Sequence, residues 1–136
     1  MVCQFKFRVR FPRLLAAVLI TCLGALVYGQ EPGWTKHVPE ADRTRHNPLA
    51  SDPAAVSAGQ KLYSEKCAHC HGASGEGKRH SPSLQTESVH ALTPGELEWV
   101  IAHGFSLHRM PGFESLPQDQ RWQIVSYVQS LPKAGK

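Results

Sequence analysis

The sequence Cys67-Ala68-His69-Cys70-His71 decides the fold, because it places two thiols and an imidazole within five residues. Cys67 and Cys70 are three positions apart, so in a helical turn both thiols lie on one face. The C-x-x-C-H pattern is typical of covalent haem c attachment. Both thiols can then form thioethers with the vinyl groups of one porphyrin, and the next residue turns its imidazole toward the iron. We therefore predict that Cys67 and Cys70 attach a haem and that His71 is an axial ligand of its iron.

Three other uses of these cysteines fit the sequence less well. A thioredoxin-type C-x-x-C needs a β-α-β setting, and no segment shows sustained period-two alternation. A zinc site needs four ligands, and only His103 and His108 have a suitable spacing. Those two residues flank Gly104, where a helix is predicted to end. A disulfide between Cys67 and Cys70 would close too short a loop to add much stability.

The second axial position of the iron has one leading candidate. Met110 is the only methionine apart from the initiator, and it lies in a predicted loop rather than on an apolar helix face. A Met thioether is a common haem ligand. His103, His108 and an open site are the alternatives. On the other side of the iron, the Pro82 carbonyl could accept a hydrogen bond from His71 and fix its ring; an ordinary turn proline is the competing interpretation.

The N-terminal 29 residues differ in composition from the rest. They hold four of the 15 Lys and Arg residues and two of the four Cys, but no acidic residue, so the net charge of +4 belongs to this segment. The remaining chain is neutral and has two Cys, which argues against a nucleic-acid footprint and a disulfide-stapled scaffold. An apolar run over 14–27 follows the basic residues. It is short of the about 20 residues that span a bilayer. We predict a cleaved export signal over 1–29, with an uncleaved membrane anchor as the alternative.

The rest of the chain divides into an arm and a helical domain. Residues 30–52 are rich in proline and charge without periodicity, and we interpret them as an extended N-terminal arm or linker. The domain is predicted over 53–136. Its three main helices start at Asp52-Pro53, at Thr93-Pro94 and near Pro117. Such short helices and long loops predict an all-α fold with a thin core, which a bound cofactor would complete.

Four stretches together resemble class I monohaem cytochrome c, most of all the variety related to the c-type subunits of cbb3 oxidases. They are the Cys67–His71 motif, 92–99, 110–113 and 122–127. The resemblance covers about 53–131. It implies a small cytochrome c fold wrapped around one covalently attached haem, in which the first and last helices cross near Gly59 and Tyr127. It also implies that Cys67, Cys70, His71 and Met110 are the haem residues. Pro117 stands where the family usually has a Ser or Thr cap.

The function expected from these observations is that of an exported one-electron carrier, not an enzyme. The partners would be redox proteins that donate and accept electrons outside the cytoplasm. No nucleic-acid partner is expected. The protein would associate with a membrane only if the N-terminal segment is retained. The first alternative is a haem c subunit bound to a dehydrogenase or oxidase. The second is a sensor or enzyme with an open iron site.

Overall fold

A computed structural model describes residues 35–106 and 109–134 of the 136-residue chain. The predicted export signal over 1–29 lies outside these residues. The described part belongs to one compact unit, Pro32–Lys136. None of its helices is long and apolar enough to cross a membrane.

The described residues form six α-helices and a 3₁₀ turn. After the turn Thr35–His37 come α1 (Glu40–Arg43), α2 (Pro53–Lys66), α3 (Ala68–His71), α4 (Glu87–His90), α5 (Pro94–His103) and α6 (Gln118–Ser130). This part of the chain contains no strand, only the isolated bridges Lys78–Ser81 and Phe105–Met110. The prediction of an all-α fold is therefore confirmed.

The helix ends follow the signals in the sequence. The Asp52 side chain accepts a hydrogen bond from the Ala54 amide and caps α2. Thr93 and Glu96 form a complete capping box at the start of α5. At the start of α6, Pro117 supplies no side-chain cap, but its carbonyl accepts the amides of Gln120 and Arg121 at 3.0 and 3.2 Å. The third main helix therefore begins where it was predicted, without the usual cap.

Helices α2 and α6 cross at Gly59 and form the main helix pair. A Cβ atom on Gly59 would lie 1.9 Å from the Gln123 carbonyl oxygen, so only glycine permits this approach. One turn later the rings of Tyr63 and Tyr127 pack at 5.0 Å between centroids. The crossing implied by the family resemblance is confirmed. The core around it is apolar and includes Trp122, which is 3 % exposed.

The prediction of an extended arm is wrong for the described part of 30–52. Residues 35–49, which we call the N-terminal strap, hold the 3₁₀ turn and α1 and pack on α5 and α6. The Asn47 amide donates to the Ser126 hydroxyl at 2.9 Å, and Leu49 packs on the core. The Asn47–Ser126 contact joins residues 79 positions apart, which local periodicity cannot reveal. The compact unit accordingly begins before residue 53.

Candidate functional site

One cavity of about 330 Å³ brings together all four residues predicted to hold the haem. Cys67, Cys70 and His71 line it from the α2–α3 junction, and Met110 lines it from the loop between α5 and α6. Most of the remaining wall is aliphatic or aromatic: Tyr63, Leu84, Val89, Leu92, Leu97, Val100, Ile101, Phe105, Phe113, Ile124 and Val128. Its size and apolar lining are those of a small-molecule or cofactor pocket.

The two thiols lie in different surroundings. Cys67 ends α2 and is partly buried, whereas Cys70 in α3 is exposed. Burial, and to a smaller degree the neighbouring Cys70, raises the pKa of the Cys67 thiol to about 11. The cysteines are not bonded to each other. Both side chains are therefore present as thiols on the cavity wall, as attachment to a shared ligand would require.

The His71 ring has a defined orientation. Its Nδ1 lies 3.0 Å from the Pro82 carbonyl oxygen. Because a carbonyl can only accept, Nδ1 carries the proton and Nε2 keeps its lone pair. A hydrogen bond of this kind fixes the tautomer and makes the imidazole a better metal ligand. The structure thus contains the hydrogen bond between His71 and Pro82 that the sequence alone left undecided.

The backbone around His71 is held by the residues that follow it. The Tyr63 hydroxyl, which is fully buried, donates to the Gly72 carbonyl at 2.7 Å. The Gly77 amide donates to the His71 carbonyl at 2.7 Å. Burial raises the pKa of Tyr63 well above its ordinary value, so its hydroxyl stays protonated and remains a donor. Sequence analysis missed this role, although a tyrosine on a buried helix face normally needs a partner for its hydroxyl.

The Met110 loop is closed by a pair of backbone hydrogen bonds. The amide of Phe105 donates to Met110 and the amide of Met110 to Phe105, at 2.9 and 3.1 Å. Arg109, next to Met110, has a φ of 54°, which is uncommon for a residue with a side chain. Met110 is half-buried and off any helix face, as the sequence predicted.

Of the two histidine alternatives to Met110, the structure describes only His103. His103 does not line the cavity: its ring stacks on Trp99 at 4.4 Å between centroids, and its Nδ1 lies 2.8 Å from the Trp99 carbonyl. His108 lies outside the described residues. Among the described residues, no cluster of three or more His, Cys, Asp or Glu could hold a metal ion, so zinc lacks a ligand set there.

Comparison with known proteins shows the family of this chain. A model of the family described as "Cytochrome C oxidase, cbb3-type, subunit III" matches residues 54–128, more than half of the chain. The chain belongs to this cytochrome c family. Members of the cytochrome c family carry haem c, with its iron, and the cofactor of this chain is haem c. The family resemblance expected from the sequence is confirmed.

Individual relatives of this cytochrome c include an oxidase subunit and a dehydrogenase. It is 32% identical over 89 residues to the cbb3-type oxidase subunit CcoP of Rubrivivax gelatinosus, covering 63% of the chain and 29% of that protein. It is 34% identical over 80 residues to the dihydro-heme d1 dehydrogenase of Pseudomonas aeruginosa, covering 58% and 16%. The chain thus spans less than a third of these relatives.

A solved structure supports the fold of this cytochrome c. Cytochrome cL from the marine methylotroph Methylophaga aminisulfidivorans aligns with a TM-score of 0.56 and 26% identity. The alignment covers 81% of this chain and 73% of that one. The prediction of a small cytochrome c fold is therefore confirmed.

Proposed function

We propose that this cytochrome c is an exported one-electron carrier that holds a single haem through Cys67 and Cys70, with His71 and Met110 as axial ligands. One observation carries the proposal: these four side chains, from two separate parts of the chain, line the same apolar cavity. When bound, haem c supplies an iron that takes up and releases one electron.

The side chains around the cavity determine how the haem iron is ligated and how far it is shielded from water during electron transfer. His71 presents Nε2 because Nδ1 donates to Pro82. Met110 supplies a neutral, soft sulfur, which favours reduced iron and raises the potential. The aliphatic wall excludes water, so little solvent must reorganise when the charge changes. With two ligands already positioned, no ligand has to be exchanged during transfer.

The experiment that tests the proposal is haem extraction from the purified protein. We expect the haem to stay with the polypeptide through acid and denaturant. Cys67→Ala combined with Cys70→Ala should abolish covalent attachment and leave an unstable apoprotein. Cys70→Ala alone, by leaving one thioether, is the matched intermediate. Covalent haem in the double variant, or haem extracted from the unaltered protein, would contradict the proposal.

A subunit bound to a larger complex is the second candidate. Its support is that relatives include an oxidase subunit and a dehydrogenase, and that this chain spans less than a third of each. We propose the free carrier because the sequence of 1–29 has the charged region, the apolar region and the cleavage site of an export signal. Redox proteins outside the cytoplasm would then be its partners. A mature N-terminus near Gln30 in periplasmic protein would support this; Met1 or Val2 on membrane-bound protein would favour the anchored form.

A sensor or enzyme with an open iron site is the third candidate. Carbon monoxide decides between it and the carrier, because a ligated Met110 must be displaced before the gas can bind. We expect slow and incomplete binding to the reduced protein. Rapid binding without a change of fold would favour the open site.

A further inference from the structure

The N-terminal strap is joined to α5 by two arginines that pair with buried carboxylates. Arg43 Nη1 lies 2.8 Å from Glu96 Oε1, and Arg45 Nη1 lies 3.0 Å from Glu98 Oε2. The side chains of Glu96 and Glu98 are only 5% and 3% exposed. A buried carboxylate without a partner is strongly unfavourable. Helix α5 therefore cannot move away from the strap without separating both buried carboxylates from these arginines, although Glu98 keeps a second pair with Arg121 at 2.7 Å.

Contacts with the strap backbone also hold the strap close to the start of α5. The Thr93 hydroxyl, which caps α5, also donates to the Arg43 carbonyl at 2.8 Å. A Cβ atom on Gly95 would lie 1.9 Å from the Asp42 carbonyl oxygen, so a larger residue would push the strap away. The contact thus combines charge, hydrogen bonding and close packing.

The same helix forms one wall of the cavity and leads into the Met110 loop. Leu97, Val100 and Ile101 line the cavity. The Ile101 carbonyl accepts a hydrogen bond from the Phe113 amide at 2.9 Å. A Cβ atom on Gly112 would lie 2.6 Å from the Ala102 carbonyl oxygen, so the loop after Met110 lies directly on the end of α5.

We infer that Arg43 and Arg45 are positioning residues for Met110: they fix α5, and α5 fixes the loop that carries the thioether. The inference rests on the proposed function, in which Met110 is an axial ligand. It assigns a role in the haem site to a segment that lies before the span matched by the family, residues 54–128. Neither arginine lines the cavity, so the effect on Met110 is indirect. Arg43 pairs with α5, whereas Arg45 pairs with α5 and also lies 5.0 Å from the centroid of the Trp122 ring in α6.

The test measures how easily the Met110 side opens in Arg43→Gln with Arg45→Gln. Cyanide binds ferric haem only after the sixth ligand has left, so its binding rate reports this opening. We expect the double variant to bind cyanide at least about fivefold faster, the lower end of the coupling between linked sites. Hydrogen exchange at the amides of Phe105, Met110 and Phe113 should accelerate as well, and this readout does not depend on the haem.

Two control variants separate positioning from a general loss of stability. Asp52→Ala removes the side-chain cap of α2 and so lowers stability, without removing a side-chain contact to the strap or to α5. Lys133→Gln breaks an exposed ion pair of 3.2 Å with Glu87. Neither should change cyanide binding by more than about twofold. If the double variant does not fold, Arg43→Gln alone leaves the pairs of Glu98 with Arg45 and Arg121 intact and should show the smaller change in the same direction.

The possible results are distinct. Unchanged cyanide binding and unchanged exchange in the arginine variants overturn the inference, as does an equal acceleration in Asp52→Ala. If the unaltered protein already binds cyanide as fast as Met110→Ala, the ligand assignment of the proposed function fails instead. In that case the exchange of the three amides still decides whether the strap holds the loop.

Discussion

The His71 side and the Met110 side of the cavity are held by different kinds of contact. On the His71 side, the hydrogen bonds from Tyr63 to Gly72 and from His71 to Pro82 join residues 9 and 11 positions apart. On the Met110 side, α5 depends on ion pairs with strap residues 53 positions away. The first is a local structure built around one motif, and the second is a tertiary assembly.

This difference predicts unequal rigidity. The His71 side follows directly from the main helix pair, since α2 runs into Cys67. The Met110 side includes an uncommon backbone conformation at Arg109 and relies on α5 as an intermediate. Local unfolding occurs first in the parts of a structure that have the fewest buried contacts. We therefore expect the proposed bond between the iron and Met110 to break before the contacts of His71 do.

Gly59→Val should have the largest effect, because it breaks the helix pair that supports the His71 side. The added side chain would meet the backbone carbonyl of Gln123, which cannot move without separating α2 from α6. We expect a loss of more than about 3 kcal/mol and little folded holoprotein, measured by thermal unfolding and haem stain. Ser57→Val, on the exposed face of the same helix, controls for the branched side chain. Normal yield and stability of Gly59→Val would contradict the crossing.

Met110→Ala should come next, and should leave the His71 side intact. The haem should remain attached because the thioethers do not involve Met110. Water or another residue would replace a soft, neutral ligand, so the midpoint potential should fall. Stability should fall by about 0.5–3 kcal/mol because the loop loses its bond to the iron. His103→Ala is the control, since His103 stacks on Trp99 outside the cavity. An unchanged potential and visible spectrum in Met110→Ala would show that another residue is the ligand.

The sequence predicted the local features of both sides and missed the tertiary ones. The cysteine motif, the caps at Asp52 and Thr93 and the loop position of Met110 are each signalled within a few residues. The short helix α4 is not predicted by the sequence, because four residues give no periodicity. The sequence predicts an arm or linker in place of the strap because its prolines and charges show no periodicity. A single sequence does not reveal that Arg45 and Arg121 both pair with the Glu98 carboxylate.

Tyr63→Phe should have a smaller effect that is confined to the His71 side. It removes only the hydroxyl, so the packing of the ring on Tyr127 remains. The Gly72 carbonyl then loses a buried donor, which costs about 1–3 kcal/mol. We expect lower stability by denaturant titration, while the rate at which cyanide binds the ferric haem should stay nearly unchanged. Tyr127→Phe, which likewise removes only a hydroxyl and keeps the partner ring, is the matched control. A large increase in cyanide binding in Tyr63→Phe would show that the two sides are not separate.

Glu76→Gln should give the smallest effect, visible only through its pH dependence. The Glu76 carboxylate accepts the Ser74 amide at 2.8 Å, in the turn that follows His71. Hydrogen bonds from the backbone amides of Glu76 itself and of Ser74 lower the pKa of this carboxyl. A lowered pKa in the folded state means that the ionised form stabilises the fold. That contribution is present above the unfolded pKa of about 4.3 and is lost as the pH falls through the folded value.

The unaltered protein should therefore be slightly more stable than Glu76→Gln at neutral pH, and the difference should vanish in acid. Melting temperatures of the two holoproteins, measured across this range, check the expectation. Glu76→Asp keeps the charge but shortens the side chain. If the hydrogen bonds are the cause, its melting temperature should therefore be close to that of Glu76→Gln. A difference that persists unchanged below the folded pKa would place the effect in packing over Gly72, where a Cβ atom would lie 2.3 Å from the Glu76 carboxyl carbon.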